Sequence, residues 1–472
     1  MSDSRPFLVT AAFFAIGVVV MWRGFTALSL DRLLLGMAAL VLFSIVFVRT
    51  ELGLYVLIFS MLLSPEFSLG GGLAERREAA IRLEDILLVL IGVAWLAKTA
   101  VNKEIGLVAK TALNRAIALY IMSQLIPTLI GMLTGTVKTN TGLIYVMKYV
   151  EYFLVYYMVV NNVEDRRHAW RLVGAAFLTA TIVAFHGLAQ IPRGQRVSAP
   201  FEGDFGEPNT FGGYLLMMMA VATGLAFEAS SLRLRMIYAG LVAVMFVPFL
   251  YTLSRASYLA AIPVLVALYV LFPRRRFVVA AVAAAGIVVA VAAPPEAVQK
   301  RVTYTFQGPG GRMVAGAARL DPSTVERLES YEAAFVAWTD SPLVGRGVTG
   351  FRFLDAQYPR LLAETGLFGF CAFAWLILSL LRAVAKVYRD ADTPLLRGLA
   401  GGFLAAIVGI LVHGIGANSF IIIRIMEPFW LIAAIVLALP GLPDTSRTLP
   451  AGTSAARPRT AGPPLRAVPR TS

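Results

Sequence analysis

Several arginines lie inside or between apolar runs of the sequence, where a charge is costly and therefore suggests a functional role. Arg193 and Arg196 lie in a polar segment between two apolar runs, Arg255 lies in a short break between two further runs, and Arg424 lies inside the last run. A charge at that depth costs about 2.5–3.5 kcal/mol on insertion scales. Guanidinium groups bind phosphate oxygens in bidentate fashion, and a low dielectric strengthens the bonds. The pattern predicts a pyrophosphate site, with carboxylate pairing or snorkelling to headgroups as the alternative for each arginine.

The composition indicates a membrane protein. The chain has 472 residues, of which 58% are hydrophobic and 15% charged, whereas soluble domains carry about 25% charged residues. This excludes a soluble multidomain enzyme. The net charge of +14 comes from small basic clusters between apolar runs, which is the pattern of membrane topology rather than of nucleic-acid binding. The single cysteine, Cys371, excludes an intramolecular disulfide and a cysteine metal cluster.

We predict an all-α polytopic membrane protein of about 12–14 transmembrane helices, since a span needs about 20 apolar residues. No small-residue cleavage motif follows the first run, so we expect a retained helix rather than a signal peptide. The predicted spans are Phe7–Met21, Leu33–Val48, Leu52–Leu63, Ile86–Val101, Ala116–Leu133, Leu143–Val160, Leu172–Ile191, Phe211–Phe227, Met236–Leu253, Tyr258–Phe272, Val278–Ala293, Gly366–Leu381, Leu399–Ile415 and Phe420–Leu439.

The distribution of Lys and Arg among the short loops predicts a cytoplasmic N-terminus. Residues 1–439 then form the polytopic domain, with loops 192–209 and 294–365 on the outer side. A loop as long as 294–365 is uncommon without a function, and we expect it to fold as a helical cap between the spans near 278–293 and 366–381. Residues 440–472 are rich in Pro, Ser, Thr and Arg, which predicts a disordered, basic cytoplasmic tail.

Within the cap, a capping box at Ser323–Glu326 predicts the start of an amphipathic helix. That helix should end before Asp340-Ser341-Pro342, because proline disfavours the helical conformation in the residue before it. We expect its apolar stripe to pack on the membrane domain, as aromatic stripes usually belong to a core. The stripe is formed by Val325, Leu328, Tyr331, Phe335 and Trp338.

The segment Gly345–Gly350 matches the dinucleotide fingerprint G-x-G-x-x-G in form only, because no buried strand precedes it. Its glycines instead predict a tight turn with a close backbone approach, beside Arg346 and Arg352. A helix over 353–364 should follow and run into the next span. It places Gln357, Arg360 and Glu364 on one polar face.

We expect neither a metal nor another cofactor. Glu202, Asp204 and Glu207 could offer oxygen ligands to a divalent cation, but no calcium-loop spacing accompanies them, which favours solvated loop acids. Asp390 and Asp392 imitate the Asp-x-Asp of nucleotide-sugar enzymes. They lie in a short predicted cytoplasmic turn, so we interpret them as solvated surface.

Five segments together resemble the O-antigen polymerase and ligase family, membrane enzymes that act on polyprenyl-pyrophosphate-linked glycans outside the bacterial inner membrane. Taken singly, the motifs have little specificity; their order and their predicted outer side carry the resemblance. The segments are Glu207–Leu215, Leu253–Leu259, the surroundings of Arg327, Ser341–Gly347 and Asp355–Gly369.

The resemblance implies glycosyl transfer, in which a sugar hydroxyl attacks an anomeric carbon and undecaprenyl pyrophosphate leaves. We expect Asp355 to accept the proton, with Glu364 behind it; a helix cap or an ion pair with Arg352 is the alternative for Asp355. The residues expected to bind pyrophosphate or substrate are Arg196, Arg255 and Arg327, with Arg346 and Arg352 as alternates, together with Asn209, Tyr358 and His413. For His413, a hydrogen-bonded structural role is the alternative.

Polymerisation of repeat units of O-antigen or exopolysaccharide at the periplasmic face is the predicted function. Ligases that transfer glycan to lipid A core typically have histidine where this chain has Asp355; a ligase, a peptidoglycan-type polymerase and a lipid-linked glycan flippase remain alternatives. The expected partners are the undecaprenyl-pyrophosphate-linked donor and acceptor glycans, membrane lipids and a chain-length regulator, without nucleic acid.

Overall fold

The computed structural model of the protein describes residues 30–67, 81–101, 109–202, 206–292, 299, 312–313, 319–320 and 322–444. These residues are predominantly helical, which confirms the predicted all-α membrane fold. Two antiparallel pairs of two-residue strands accompany the helices: β1 (Glu66–Phe67) with β2 (Ile81–Arg82), and β3 (Arg312–Met313) with β4 (Arg319–Leu320).

The described residues form the α-helices that position the site discussed below. They are α1 (Leu30–Val48), α2 (Thr50–Leu63), α3 (Leu83–Val101), α4 (Asn114–Leu133), α5 (Thr139–Asn162), α6 (Arg166–Gln190), α7 (Pro208–Glu228), α8 (Leu232–Tyr251), α9 (Arg255–Leu271), α10 (Arg276–Ala292), α11 (Pro322–Asp340), α12 (Gln357–Asp390), α13 (Pro394–His413) and α14 (Ile423–Ala438). Short 3-10 turns follow α6, α9 and α14.

Eight helices in the described ranges are long and apolar enough to cross a membrane: α4 to α8 and α12 to α14. The consecutive helices α9 and α10 bend by 110° at their junction and would add a ninth span if counted together. Two predicted spans appear as shorter apolar helices, Ala39–Val48 and Thr50–Leu63. The predicted first span, Phe7–Met21, lies outside the described residues.

Short polar residues start several of these helices by accepting a hydrogen bond from a backbone N–H three residues further along. Asp165 caps α6 at 2.6 Å, Ser231 caps α8 at 3.2 Å, Ser254 caps α9 at 3.3 Å and Thr393 caps α13 at 3.3 Å. Such caps satisfy amide groups that a first helical turn leaves without a partner. The local sequence therefore determines where these helices begin.

Helices α7, α13 and α14 form the centre of the bundle. In their most apolar stretches, 89%, 72% and 83% of the residues are buried. The backbones of α7 and α13 meet at glycines. A Cβ on Gly224 would lie 2.3 Å from the carbonyl oxygen of Gly398, and one on Gly402 would lie 2.7 Å from that of Ala220. Gly398 and Gly402 are spaced as G-x-x-x-G, the pattern that allows close approach of membrane helices.

The cap contains the predicted amphipathic helix, α11, which ends at Asp340, one residue beyond the predicted end. The prediction of its buried face was wrong. Leu328 is 49% exposed and Phe335 58% exposed, whereas Ala334 and Ala337 are each 1% exposed. The helix packs through small residues because they let its backbone come close to α12, and Leu328 and Phe335 point away from the protein.

The glycine-rich segment forms the predicted tight turn, with left-handed φ angles of 72° at Gly345 and 86° at Gly347. It approaches α12 closely, at the point where Gly366 breaks that helix with a φ of 61°. The Gly347 N–H donates to the Glu364 carbonyl at 2.8 Å, and the Leu367 N–H donates to the Pro342 carbonyl at 2.9 Å. The turn thus provides hydrogen-bond partners for backbone groups that the helix break leaves without helical partners.

The contact between α7 and α13 should tolerate no added methyl group. We expect Gly402→Ala to lower the thermal midpoint of the detergent-purified protein, because overpacking costs about 1–3 kcal/mol. The matched control is Gly240→Ala in α8, where nothing lies within 4 Å of an added Cβ. The control should gain up to about 1 kcal/mol of helix propensity. Equal midpoints for the two variants would contradict this packing.

Candidate functional site

The site is built around the turn between α8 and α9, at the end of the bundle that carries the cap. We call this the cap end. Arg196, from the loop before α7, donates from Nε to the Thr252 carbonyl at 2.9 Å and from Nη2 to the Leu253 carbonyl at 3.5 Å. Its Nη2 also donates to Asn209 Oδ1 at 3.3 Å. Two residues of the predicted site, Arg196 and Asn209, are therefore in direct contact.

The turn itself carries backbone strain. Leu253 adopts a left-handed φ of 50°, a conformation that costs a non-glycine residue of order 1 kcal/mol and clusters at functional sites. Ser254 follows and caps α9, so that Arg255 is the first helical residue. Its Nη1 donates to Thr324 Oγ1 of α11 at 3.0 Å, which ties the turn to the cap.

Arg327 and Asp355 face each other across the cap. Nη2 of Arg327 lies 3.6 Å from Oδ2 of Asp355, and their side chains are 18% and 32% exposed. Nε of Arg327 lies 3.8 Å from where a Cβ on Gly416 would lie, and Tyr331 of the same helix donates to the Ile415 carbonyl at 3.0 Å. Helix α11 thus joins Asp355 to the turn that follows α13.

His413 at the end of α13 is fully buried. Its Nε2 lies 3.1 Å from Ser257 Oγ, and its Nδ1 lies 2.7 Å from Ser419 Oγ. Ser257 in turn donates to Ser254 at 2.8 Å. The histidine therefore links α9 to α13 beneath the strained turn, and its partners Ser254, Ser257 and Ser419 were not among the predicted site residues. The Ser-x-x-Ser spacing in the break before α9 is the sequence signal that could have indicated two of them.

Tyr358 lies on the first turn of α12 and donates from its hydroxyl to the Leu411 carbonyl at 2.5 Å. It therefore packs on the same end of α13 as His413. The neighbouring Gln357 is completely buried and accepts a hydrogen bond from the Phe420 N–H at 3.0 Å. Both side chains fix the start of α12, directly after Asp355.

Three further predicted residues make other contacts. Arg346 pairs with Asp340 and lies over the ring of Phe351. Arg352 donates to the Glu329 carbonyl at 3.1 Å. Glu364 is buried and pairs with Arg360 at 3.1 Å, while its other oxygen accepts from the Thr349 N–H at 3.0 Å.

These contacts give the three residues different surroundings from Asp355. Arg346 lies on the glycine turn, the segment Gly345–Gly350, and Arg352 lies against α11. Glu364 holds the glycine turn on α12.

Arg193 and Arg196 line a hollow of about 360 Å³, and Glu202 lies in its wall. Arg424 lies behind this hollow, fully buried, with Nη1 at 3.4 Å from Glu202 Oε1 and at 2.7 Å from the Pro200 carbonyl. The alternative of carboxylate pairing thus describes Arg424 better than a phosphate contact does. Asp204, predicted as a loop acid, lies outside the described residues.

The arrangement at the cap end combines three guanidinium groups, Arg196, Arg255 and Arg327, with one carboxylate, Asp355. A chain of contacts through the α8–α9 turn, α11 and the turn after α13 joins them. Half-buried arginines of this kind bind an anion strongly, because water screens their charge only in part. The carboxylate could accept a proton from a hydroxyl group bound beside it.

Glu202 makes the stability of this region depend on pH. Burial raises the pKa of its carboxyl group from 4.5 to about 8, although nearby Arg424 opposes the shift. Because the folded state holds the proton more tightly, the stabilisation is complete below about 4.5 and is lost as the pH rises through about 8.

We therefore expect the free energy of unfolding to fall across this pH range, by up to about 1.4 kcal/mol per pH unit from this group. The thermal midpoint of the purified protein should fall with it. Glu202→Gln should flatten the dependence, and Glu332→Gln, an exposed acid of α11, should leave it unchanged. Parallel pH profiles of the wild type and Glu202→Gln would contradict the assignment.

A comparison with known protein families finds one similarity. Residues 240–374 match the family model of O-antigen ligase; no curated protein matches the chain. The matched segment runs from α8 to α12 and includes Arg255, Arg327, Asp355, Tyr358 and Glu364. Arg196, Asn209 and His413 lie outside it. Residues 240–374 are thus similar to the O-antigen ligase family, which supports the family resemblance found in the sequence.

Proposed function

We propose that the protein is an inner-membrane glycosyltransferase that polymerises undecaprenyl-pyrophosphate-linked oligosaccharide repeat units of O-antigen or exopolysaccharide at the periplasmic face. One observation carries the proposal: a chain of contacts through the α8–α9 turn and α11 joins Arg196, Arg255, Arg327 and Asp355 at the cap end of a membrane bundle. The family match to O-antigen ligase over the segment that holds three of these four residues supports it.

In the proposed reaction, a hydroxyl of the acceptor glycan attacks the anomeric carbon of the donor, and the bond to the pyrophosphate oxygen breaks. Negative charge then develops on the leaving pyrophosphate. Arg255 and Arg196 would stabilise that charge, since both are held at the α8–α9 turn by carbonyl and hydroxyl oxygens. Such preorganised donors stabilise a transition state without reorganisation during the reaction.

Asp355 would take the proton of the attacking hydroxyl. Its side chain is 32% exposed and lies 3.6 Å from Arg327, so the same guanidinium group could orient the carboxylate and contact the donor. A positioned general base contributes typically 10²–10⁴-fold to a rate. In this assignment Glu364 and Arg360 are positioning residues, because their buried pair holds the glycine turn on α12.

Transfer of the glycan to lipid A core is the second candidate, because the matching family model is that of O-antigen ligase. Polymerase and ligase would use the same donor and differ in the acceptor. Asp355 occupies the position where the ligases resembled by this chain have histidine, and we therefore place the polymerase first.

The test is deletion of the gene followed by analysis of lipid-linked glycans. Complementation with Arg255→Ala or Asp355→Ala should leave single repeat units unpolymerised, with polymer formation about 10²–10³-fold slower. Complementation with Lys138→Ala, which removes an exposed cation at the turn between α4 and α5, should restore full-length polymer. Protein amounts in the membrane must be equal.

The outcomes separate the candidate functions. Long lipid-linked chains that persist in the deletion strain while lipid A core loses its glycan would identify a ligase. Repeat units stranded on the cytoplasmic face would identify a flippase. Full-length polymer in both alanine variants would contradict the assigned site.

A further inference from the structure

A second group of charges lies inside the membrane domain, and the proposed reaction does not use it. It comprises five carboxylates and three cations, from β2, α3, α5, the loop before α7 and α14. We call it the buried acid network; its members are Glu84, Asp85, Glu151, Glu202 and Glu427 with Arg82, Lys148 and Arg424.

The first part of the network lies at the start of α3. Glu84 is 1% exposed, accepts a hydrogen bond from the Ser64 hydroxyl and lies 3.7 Å from Arg82. Asp85 is 8% exposed and pairs with Lys148 of α5 at 3.2 Å. Among the described residues, no hydrogen-bond donor reaches Glu84 Oε1 or Asp85 Oδ1.

The second part lies on the helices that pack against α3. Glu427 of α14 is 2% exposed and interacts electrostatically with Glu84, Asp85, Glu151 and Lys148. Glu151 of α5 is half-buried, and within the described ranges its Oε2 has no hydrogen-bond donor. Arg424, one turn before Glu427, donates to the Ser64 carbonyl at 3.0 Å and so connects Glu202 to Glu84.

Among the residues that the structure describes, the charges of the network do not balance. Five carboxylates stand against three cations, which leaves an excess of two negative charges if every acid is ionised. An uncompensated carboxylate in a low-dielectric interior costs several kcal/mol, and such a group takes up a proton instead. Glu207, exposed at the entrance to α7, and Tyr152 also face the network, and neither supplies a positive charge.

We infer that the buried acid network is a proton-binding site that holds two protons at neutral pH, shared among the carboxylates of Glu84, Asp85, Glu151, Glu202 and Glu427. A proton needs a single carboxylate oxygen, whereas a calcium ion needs six to eight oxygen ligands. The unpartnered oxygens of Glu84, Asp85 and Glu151 are the positions where a proton would turn an acceptor into a donor. Intramembrane acids mark functional sites such as ion pathways and proton relays.

Infrared spectroscopy tests the proposal on the full-length protein in a detergent without ester groups, because the C=O stretch of a protonated carboxyl group is separate from the carboxylate bands. At neutral pH the wild type should show this stretch, and it should disappear at alkaline pH. Glu427→Gln and Glu202→Gln should each lose about half of the band, since four carboxylates then face three cations. The double variant should lose all of it.

The control is Glu164→Gln, which removes an exposed acid between α5 and α6 and should leave the band unchanged. Absence of the band in the wild type at neutral pH would overturn the proposal, and so would a full band in the double variant. The wild-type measurement requires no variant to fold, and none of the readouts depends on glycosyl transfer.

Discussion

The hydrogen bonds from Arg196 to the carbonyls of Thr252 and Leu253 are the interaction on which the cap end depends. A break between two spans leaves carbonyl groups at the end of α8 without helical partners, and an apolar environment supplies none. The guanidinium group provides donors from a loop that is distant in sequence. This contact fixes the loop before α7 and places Asn209 beside the turn, and the turn in turn fixes the first residue of α9, Arg255.

The arginines differ in the groups that hold them. Arg360 and Arg424 lie beside the carboxylates of Glu364 and Glu202 within the bundle. Arg196 donates to carbonyl and amide oxygens of the α8–α9 turn and of α7, which fix the direction of its guanidinium group. A site for pyrophosphate needs guanidinium groups of fixed direction, because bidentate bonding depends on the geometry of the donors.

Sequence reasoning predicted what local patterns determine. The predicted spans from Ala116 to Phe272 and from Gly366 to Leu439 correspond to helices. The face of α11 was predicted wrongly, because an apolar stripe shows which residues are hydrophobic but not which neighbour approaches. The alanines pack against the protein, and Phe335 does not. The pairing of Arg424 with Glu202 spans 222 residues and leaves no local signal.

The glycine turn is a second case in which the local sequence predicted a contact but not its partner. Its residues predicted a close backbone approach, but the partner is the break at Gly366, where the helix direction changes and N–H and carbonyl groups lose their helical partners. The segment 342–347 restores those bonds, so the break is stable although it lies in a membrane helix. Without the break, a straight α12 would continue from Gln357 along the axis of its span. With it, the first turns are set independently, and Asp355 is held against Arg327 of the cap.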